Sequence, residues 1–303
     1  MKQINVDVSE KERLDKYILS HSDISSRSQI TKMFSENKVI VNGEVKKPGY
    51  IVKKGDVIFF DEPDKPLSDV APQDLPLNVV YEDDDVIVIN KPQGMVVHPG
   101  AGNYDKTLVN ALKFHTDTLS DVGGEKRLGI VHRIDKNTSG LLIVAKNNNA
   151  HISLQKQIQK KECKRFYVAL LYGRLKEKSG IINKNLKRSV KNRTQIEVCS
   201  DGDGREAVTI YNVIKEFGGY SLVEFELKTG RTHQIRVHAK SIGHPVVGDD
   251  VYAPGRKNKF VTNGQLLHAY KIKFTHPVTN KKMEFIIDLP DYFKKIIEKL
   301  ETE

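Results

Sequence analysis

A charged turn between two apolar runs constrains the fold of this chain more than any other segment. The turn reads HRIDKNTSG, from His132 to Gly140; it follows the run Leu128 to Val131 and precedes the run Leu141 to Ala145. Apolar runs of this kind predict buried strands, so the turn should present its polar side chains at the end of a rigid core. Asp135 is the one carboxylate in the turn and is therefore the candidate reactive group.

The charge of the chain points towards a polyanionic partner. Its 303 residues include 49 lysines and arginines against 39 aspartates and glutamates, which gives a net charge of +10. Nucleic acid is the most common partner of such a protein, although charge alone does not distinguish it from a protein that is merely rich in lysine. The length allows two domains, each with its own core.

Cysteine content and hydropathy predict a cytoplasmic protein without a metal site or a membrane segment. Cys163 and Cys199 are the only cysteines, and they have neither metal-ligand spacing nor the pattern of a disulfide framework. The segment MKQINVDV lacks a signal-peptide pattern, and no apolar run approaches transmembrane length. We therefore expect a reducing compartment and no membrane association.

Residues 1–62 are predicted to form a small module that contains two helices. Ser9 and Glu12 have the spacing of a capping box, and Ser26 and Gln29 repeat that spacing before a second apolar pattern. Each pair indicates the start of one helix.

A hairpin and a strand complete this module, and a linker follows it. The Asn42-Gly43 pair predicts a tight turn between two strands, and Val57 to Phe60 predict a closing strand. Residues 63–76 are rich in proline and acidic residues and poor in apolar ones, so we expect a linker there.

Residues 77–303 are predicted to form a second domain in which strands dominate. Adjacent strands are joined by short turns, as at Glu82 to Asp85 and at Gly218-Gly219. Amphipathic helices are predicted over 149–161 and 232–242. The pattern favours the α+β class, with a small α/β module followed by a mixed, largely antiparallel sheet, over a doubly wound fold.

A second basic motif, TGRTHQIRVH at 229–238, offers a partner for Asp135. If its helix begins near Thr232, Ile235 faces the core and Arg231 stands at the amino end of the helix. An aspartate in a turn is usually a capping residue, but a buried arginine needs an anionic partner, and Asp135 is the natural one. Such a pair would keep the aspartate ionised.

The motifs of this chain, taken in their order along the sequence, resemble those of the RluA-type pseudouridine synthases. The family pattern HRLD-x-x-TSG is present as HRIDKNTSG, in which Ile134 replaces a leucine of equal volume. Further matching segments are NKPQG at 90–94, RFYVA at 165–169, TGRTHQIRVHAKSIGHPVVGDDVY at 229–252 and LLHAYKIKFTHP at 266–277. Several ordered motifs are more specific than any one of them alone.

The resemblance implies an isomerase that converts uridine in RNA to pseudouridine without a cofactor or metal. The glycosidic bond is cut, the uracil turns, and it rejoins the ribose through C5. Asp135 would be the essential carboxylate, either as a nucleophile at C1′ or as the base that removes a proton from C2′, and the sequence leaves both roles open. Tyr167 would stack on the uracil, and Arg231 would pair with Asp135.

Contacts to the substrate are also implied by the resemblance. Arg133 would fill the gap left by the flipped base or hold a phosphate. The other expected substrate-binding residues are His132, which mainly supports the turn, with Lys91, Thr138 and Ile235.

The first module resembles the S4-like RNA-binding domain, which makes RNA the expected partner. The expected RNA contacts are Arg13, Lys16, Arg27 and Lys32, because basic side chains on one face neutralise phosphates. Large-subunit ribosomal RNA is the expected substrate, transfer RNA is the alternative, and a monomer is the expected state.

Two other functions fit part of the sequence. A glycosidase or nucleoside hydrolase also attacks C1′, but such enzymes usually place two carboxylates across the bond, and the turn at 132–140 has one. An RNA-binding or ribosome-assembly factor on a synthase scaffold should have lost Asp135, Tyr167 or Arg231, and all three are present.

Overall fold

A computed structural model describes residues 2–8, 11–22, 24, 27–61, 70–100, 102–200, 202–256 and 258–302, without the side chains of 27–29 and 32. The chain divides into two units, one of residues 1–71 with 121–128, the other of residues 72–120 with 129–303. No helix within the described ranges is long and apolar enough to cross a membrane.

Short strands and two α-helices are the regular elements described within residues 1–71 of the first unit, and its segment 121–128 contains a short 3-10 helix, Glu125–Arg127. The strands are β1 (Lys2–Asn5), β2 (Glu12–Arg13), β3 (Val39–Val41), β4 (Glu44–Val45), β5 (Ile51–Val52) and β6 (Val57–Phe60), and the helices are α1 (Leu14–Ser20) and α2 (Arg27–Ser35). An antiparallel sheet has the order β1-β6-β3-β4, and β2 pairs with β5. An apolar cluster that includes Leu14, Tyr17 and Ile58 forms the core of this unit.

The hairpin of the first unit is present as predicted, whereas the start of α1 is not. Asn42 and Gly43 have φ of 52° and 86°, and positive φ at both central positions is what a tight hairpin turn requires. Helix α1 begins after Arg13, which provides no side-chain cap, and Glu12 lies in β2. The capping box at Glu12 is therefore wrong. Its partner Ser9 lies outside the described residues, and so do Ser26 of the second box and the side chain of Gln29.

The second unit contains one large sheet with helices packed on it. Its described strands are β7 (Val79–Glu82), β8 (Val86–Lys91), β9 (Ser139–Ala145), β10 (Lys164–Tyr172), β11 (Ser179–Asn183), β12 (Leu186–Arg188), β13 (Ile196–Val198), β14 (Val208–Phe217), β15 (Tyr220–Leu227), β16 (Leu267–Thr275) and β17 (Lys282–Ile286). Its described helices are α3 (Leu108–His115), α4 (Asn148–Gln159), α5 (Gln234–Ser241) and α6 (Asp291–Glu301).

The order of strands places the start of β9 in the middle of this sheet. The order is β11-β14-β15-β10-β16-β9-β8-β7, with β17 paired to β16. Every pairing in the sheet is antiparallel except that of β9 with β16, where Ser139 lies opposite His268 and Gly140 opposite Ala269. The domain is thus a mixed, largely antiparallel α+β structure, as the sequence predicts.

A glycine allows the close approach of β9 and β16. Gly140 has φ of 114°, and a Cβ atom there would lie 2.2 Å from the Ala269 carbonyl oxygen. No other residue type fits without moving the backbone. Gly140 therefore fixes the end of the charged turn against the centre of the sheet.

The apolar run before the turn is not a strand, which corrects the prediction. Ile130 makes only an isolated bridge to Val144, and Gly129 has a φ of 70° that a strand does not adopt. Gly129 and Ile130 form a loop packed on β9, so the hydrophobicity there reflects burial rather than strand pairing. The predicted hairpins are present as β7–β8 and β14–β15, and the predicted helices are α4 and α5, with ends displaced by one or two residues.

Candidate active site

A cavity of about 500 Å³ lies at the start of β9, where the charged turn meets β10 and the segment that leads into α5. This volume is in the range of pockets that enclose a small molecule. The lining residues include His132, Arg133, Asp135 and Thr138 from the turn, Arg165 and Tyr167 from β10, and Arg231, Ile235 and Arg236 from the segment around the start of α5.

Asp135 is paired with an arginine that a second aspartate holds in place. Arg236 Nη1 donates to Asp135 Oδ2 at 3.0 Å, and its Nε and Nη2 donate to Asp249 at 2.7 and 2.9 Å. Burial alone would lower the pKa of Arg236, but its hydrogen bonds with Asp249 and the charges of both aspartates outweigh burial and raise that pKa. The guanidinium is therefore a permanent positive charge beside the carboxylate of Asp135.

Further contacts prevent Arg236 from changing its position. Asp249 Oδ1 also accepts the backbone N–H groups of Val251 and Tyr252, each at 3.0 Å. The Tyr252 ring lies under the guanidinium, with its centroid 5.0 Å from Arg236 Cζ. Asp249 is thus saturated with donors, and the arginine is clamped on several sides.

The predicted ion pair between Asp135 and Arg231 is wrong. Arg231 Nε donates to the backbone carbonyl of Glu206 at 2.9 Å, and α5 begins two residues after Thr232, the predicted start. The residue that reaches Asp135 is Arg236, in the first turn of the helix. Because the start of α5 was predicted too early, the predicted partner of Asp135 was Arg231, before the helix, rather than Arg236, inside it.

The start of α5 has an unusual backbone conformation. His233 has φ of 56°, in the left-handed region that is costly for a residue with a side chain. Its Nδ1 lies 2.8 Å from the Tyr252 hydroxyl, and its Nε2 lies 3.9 Å from Asp135 Oδ1. Gln234 Nε2 donates to the Val208 carbonyl at 3.1 Å. These contacts fix the rotational phase of α5.

Lys91 supports the turn instead of contacting a substrate, which corrects its predicted role. The side chain is fully buried, and Nζ donates to the carbonyls of Pro92, Met95 and Lys136 at 2.7, 2.9 and 3.1 Å. Burial lowers the pKa of Lys91 to about 7, against the raising effect of the Asp135 charge. The described residues that line the cavity do not include Lys91.

The other predicted substrate-binding residues lie at the cavity. Thr138 Oγ1 accepts Gln265 Nε2 at 3.0 Å, and its backbone N–H donates to the Asp135 carbonyl at 3.1 Å. Ile235 is buried in the wall, whereas Arg133 is exposed at the rim. The turn therefore presents Arg133 to solvent and keeps Thr138 fixed in the wall of the cavity.

Tyr167 contributes an apolar surface to the cavity. Its side chain is buried on β10, and burial raises its pKa to about 12, with a lowering by the Arg165 charge and a raising by the Asp135 charge. The phenol is therefore neutral at physiological pH. A neutral, fixed aromatic ring is suited to stacking on a base.

His132 connects the turn to β9 and is uncharged. Its Nε2 accepts the backbone N–H of Ile143 at 3.1 Å, so the proton lies on Nδ1, which is buried without a partner. Burial and, to a smaller extent, the charge of Arg165 lower the pKa of His132 to about 3. The ring is a structural support that leaves one N–H donor unused.

Comparison with known proteins identifies the family of this chain. Residues 85–241 match the RNA pseudouridylate synthase family, and residues 12–58 match the S4 domain. The chain belongs to the RNA pseudouridylate synthase family. It is therefore an RNA pseudouridine synthase, an isomerase that acts on RNA.

Relatives of the synthase extend over nearly its whole length. An uncharacterized RNA pseudouridine synthase of Bacillus subtilis is 43% identical over 303 residues, 99% of each chain. The ribosomal large subunit pseudouridine synthase D of Zymomonas mobilis is 41% identical and covers 95% of this chain and 93% of its own. The structure of human RNA pseudouridylate synthase domain containing 1 covers 75% of the synthase and 96% of its own chain, at a TM-score of 0.57 and 25% identity.

Two of the four predicted RNA contacts in the S4 unit of the synthase have described side chains. Arg13 is half exposed before α1 and forms an ion pair with Asp15 at 2.9 Å, and Lys16 is exposed on α1. Arg27 and Lys32 belong to α2, but their side chains lie outside the described residues. Exposed cations of this kind are able to contact phosphates.

A group of possible metal ligands lies outside the cavity of the synthase. Asp83, Asp85 and His276 offer ligand atoms within 4.8 Å of one another. His276 Nδ1 accepts the backbone N–H of Thr279 at 3.1 Å, so Nε2 carries the proton and donates to Asp83 at 2.9 Å. The contacts are those of a hydrogen bond that joins the β7–β8 turn to the end of β16.

Sequence reasoning did not identify three residues of the site. Asp249 lies in the apolar segment VVGDDVY, and a buried carboxylate requires a cation, which is the signal for Arg236. Arg165 precedes Tyr167 by two positions on a strand, and this period places both side chains on one face. These signals are present in the sequence, but they do not specify which arginine pairs with which carboxylate.

Proposed function

We propose that the synthase isomerises uridine in large-subunit ribosomal RNA, with Asp135 as the essential carboxylate. The target is supported by relatives named ribosomal large subunit pseudouridine synthase D, including those of Zymomonas mobilis and Vibrio cholerae. The role of Asp135 is supported above all by its ion pair with the buried Arg236, which Asp249 fixes in turn.

Asp135 reacts at the ribose of a uridine that has left the base stack. Its side chain is 18% exposed at the cavity wall, and Oδ2 is held by Arg236, which leaves Oδ1 for the substrate. The carboxylate attacks C1′ or removes the proton from C2′ while the bond from C1′ to N1 breaks. The uracil turns and C5 bonds to C1′. As this bond forms, the bond between Asp135 and C1′ breaks on the first route, and Asp135 returns the proton to C2′ on the second. C5 then loses a proton and N1 gains one, so the composition of the RNA does not change.

Stacking and charge compensate for the extraction of the base. Unstacking and unpairing a base costs a few kcal/mol, so the protein must provide contacts in return. Tyr167 stacks on the uracil, and Ile235 closes the apolar wall. Arg133 and Arg231, at the rim, contact phosphates or fill the gap in the RNA, and the S4 unit binds the same RNA through Arg13 and neighbouring cations.

Mapping of pseudouridine tests this proposal directly. In cells that lack the protein, we expect one or more large-subunit ribosomal uridines to remain unmodified, and purified wild-type protein should modify them. Asp135→Ala should bind the RNA and form no pseudouridine. Formation of pseudouridine by Asp135→Ala would contradict the role of Asp135. If cells that lack the protein lose pseudouridine from transfer RNA alone, the proposed target is wrong. Release of free uracil would indicate a hydrolase.

We also propose that the synthase works as a cytoplasmic monomer. Both Cys163 and Cys199 are free thiols, which fits a reducing compartment. Light scattering should give the mass of one chain, and a mass of two chains would contradict the monomer.

A further inference from the structure

A buried arginine that the proposed mechanism does not use faces the cavity. Arg165 is the second residue of β10, and the alternation of a strand places its side chain on the same face as that of Tyr167. Arg165 is only 6% exposed and lines the cavity together with Asp135. Arginine is almost never buried to this extent unless it is paired.

Among the described residues, the guanidinium of Arg165 has no partner that explains its burial. Its Nε is a buried donor without an acceptor, and no carboxylate in the described part of the chain forms an ion pair with it. Arg236 is buried to the same degree, yet it binds both Asp135 and Asp249. A buried charge without a partner opposes folding, so stability gives no reason for an arginine at position 165.

The fold nevertheless makes room for this guanidinium. A Cβ atom on Gly230 would lie 2.7 Å from Arg165 Nη1, so a larger residue at 230 would displace the arginine. The need for space accounts for the glycine, because Gly230 does not have the positive φ that would otherwise favour one. The charge of Arg165 also acts on His132 and Tyr167, whose pKa values it lowers.

We propose that Arg165 stabilises the negative charge that develops on uracil when its glycosidic bond breaks, which rests on the proposed reaction of Asp135 with uridine. As the bond from C1′ to N1 breaks, its electron pair leaves with the base, and the charge spreads over N1, O2 and O4. Arg165 donates a hydrogen bond to a carbonyl oxygen of this anion. When C5 bonds to C1′, the electron pair enters the new bond, C5 loses its proton and N1 gains one, and Arg165 keeps all its protons.

A phosphate of the RNA fits this position less well than the base. An RNA backbone would meet the exposed surface of the turn, where Arg133 lies. Arg165 is instead buried, and it lines the same cavity as Tyr167 and Asp135. A phosphate there would hold a permanent negative charge close to the carboxylate, whereas the charge on the base exists only during the reaction. Buried donors fixed before the reaction stabilise such transient charge most strongly.

Replacement of Arg165 by methionine separates catalysis from stability. The substrate is the RNA in which the wild-type protein forms pseudouridine, located by mapping, so an incorrect ribosomal target changes the RNA but not the comparison. We expect the single-turnover rate of Arg165→Met to fall by about 10²- to 10³-fold, the loss found when one donor to a developing anion is removed. Its melting temperature should stay the same or rise, because no bond is broken and an unpaired charge is removed.

Two further variants complete this experiment. Arg165→Lys keeps the charge and should recover part of the rate, and the exposed Arg174, which lies outside the cavity, should tolerate Arg174→Met without change. A lower melting temperature or loss of folding in Arg165→Met would assign Arg165 a structural role. Weaker RNA binding with a smaller salt dependence would assign it to a phosphate. Either result would overturn the proposal.

A substrate with 5-fluorouridine at the target position tests the charge itself. Fluorine withdraws electrons and stabilises the uracil anion without help from the protein. The loss of rate in Arg165→Met, measured as cleavage of the glycosidic bond, should therefore be about tenfold smaller with fluorouridine than with uridine, as for a donor that acts on transition-state charge. Equal losses with both nucleotides would show that Arg165 does not act on the leaving base.

Discussion

At the scale of single residues, Arg236 determines how Asp135 is held. Replacing Arg236 with glutamine leaves the carboxylates of Asp135 and Asp249 facing each other without a cation. We expect Arg236→Gln to lose activity and to lower the free energy of unfolding by about 3–5 kcal/mol, the usual cost of removing one partner from a buried ion pair. Urea unfolding and single-turnover assays measure the two effects.

Arg231, which the sequence analysis predicted as the partner of Asp135, provides the matched control. Among the described residues the side chain of Arg231 hydrogen-bonds only to a backbone carbonyl, so Arg231→Gln should change stability by less than about 1 kcal/mol. It should weaken RNA binding and reduce its salt dependence if it contacts a phosphate. Equal destabilisation by the two variants would contradict the assignment of Arg236 as the partner of Asp135.

The titration of His132 makes the stability of the fold depend on pH. The folded-state pKa of about 3 lies below the value of 6.5 for a free histidine, so the unfolded chain binds the proton first as the pH falls. The contribution of His132 to stability is thus present above pH 6.5 and is lost between pH 6.5 and 3.

The variant His132→Gln isolates this effect, because glutamine does not titrate and its amide oxygen is able to accept the Ile143 N–H. Between pH 6.5 and 5, the wild type should lose about 1.5 kcal/mol more unfolding free energy than the variant. Urea unfolding at a series of pH values measures this difference. Parallel curves for the two proteins would mean that His132 titrates alike in both states.

At the scale of elements, the junction of β9 and β16 depends on Gly140. In Gly140→Ala the new methyl group meets the backbone of Ala269, and the backbone must also keep its positive φ. We expect a loss of more than about 3 kcal/mol in unfolding free energy, because steric overlap adds to backbone strain. Gly94→Ala is the control, since Gly94 has φ of 88° but nothing within 4 Å of the added atom, and strain alone should cost about 1–2 kcal/mol. Similar losses in both variants would contradict the importance of the strand contact.

Local signals predicted many elements of the fold, but not the long-range pairing that builds its site. The hairpin at Asn42-Gly43 follows from the backbone angles of two residues, and the apolar spacing of α5 follows from one helix. The pairing of β9 with β16 joins Ser139 to His268, 129 positions apart, and no local pattern encodes it. The apolar run before the turn was predicted as a strand although it is a buried loop, because an apolar loop and a buried strand have similar compositions.

The sequence predicted which residues lie at the candidate site, but an error in the start of one helix gave the wrong partner for Asp135. The resemblance brought Asp135, Tyr167 and Arg231 to one cavity, and the structure places all three there. The choice between Arg231 and Arg236 depends on the phase of α5, which a shift of two residues changes by about half a turn. Sequence patterns locate helix ends no better than this, so the partner of Asp135 required the structure.

At the scale of the whole molecule, the division into two units suggests a division of labour. The first unit has an apolar cluster of its own, and every described residue that lines the cavity belongs to the second. Binding by the S4 unit should therefore add affinity that is independent of the chemistry. A protein without residues 1–62 should still fold and should modify a short stem-loop that contains the target uridine.

The salt dependence of RNA binding tests this division. Loss of four phosphate contacts should reduce the slope of log affinity against log salt by about three, since each contact contributes about 0.7 to 0.9. The truncated protein should bind long ribosomal RNA more weakly at low salt, and the difference from the full chain should shrink as salt rises. A slope unchanged by truncation would place the phosphate contacts on the second unit, and a truncated protein that does not fold would show that the second unit depends on the first.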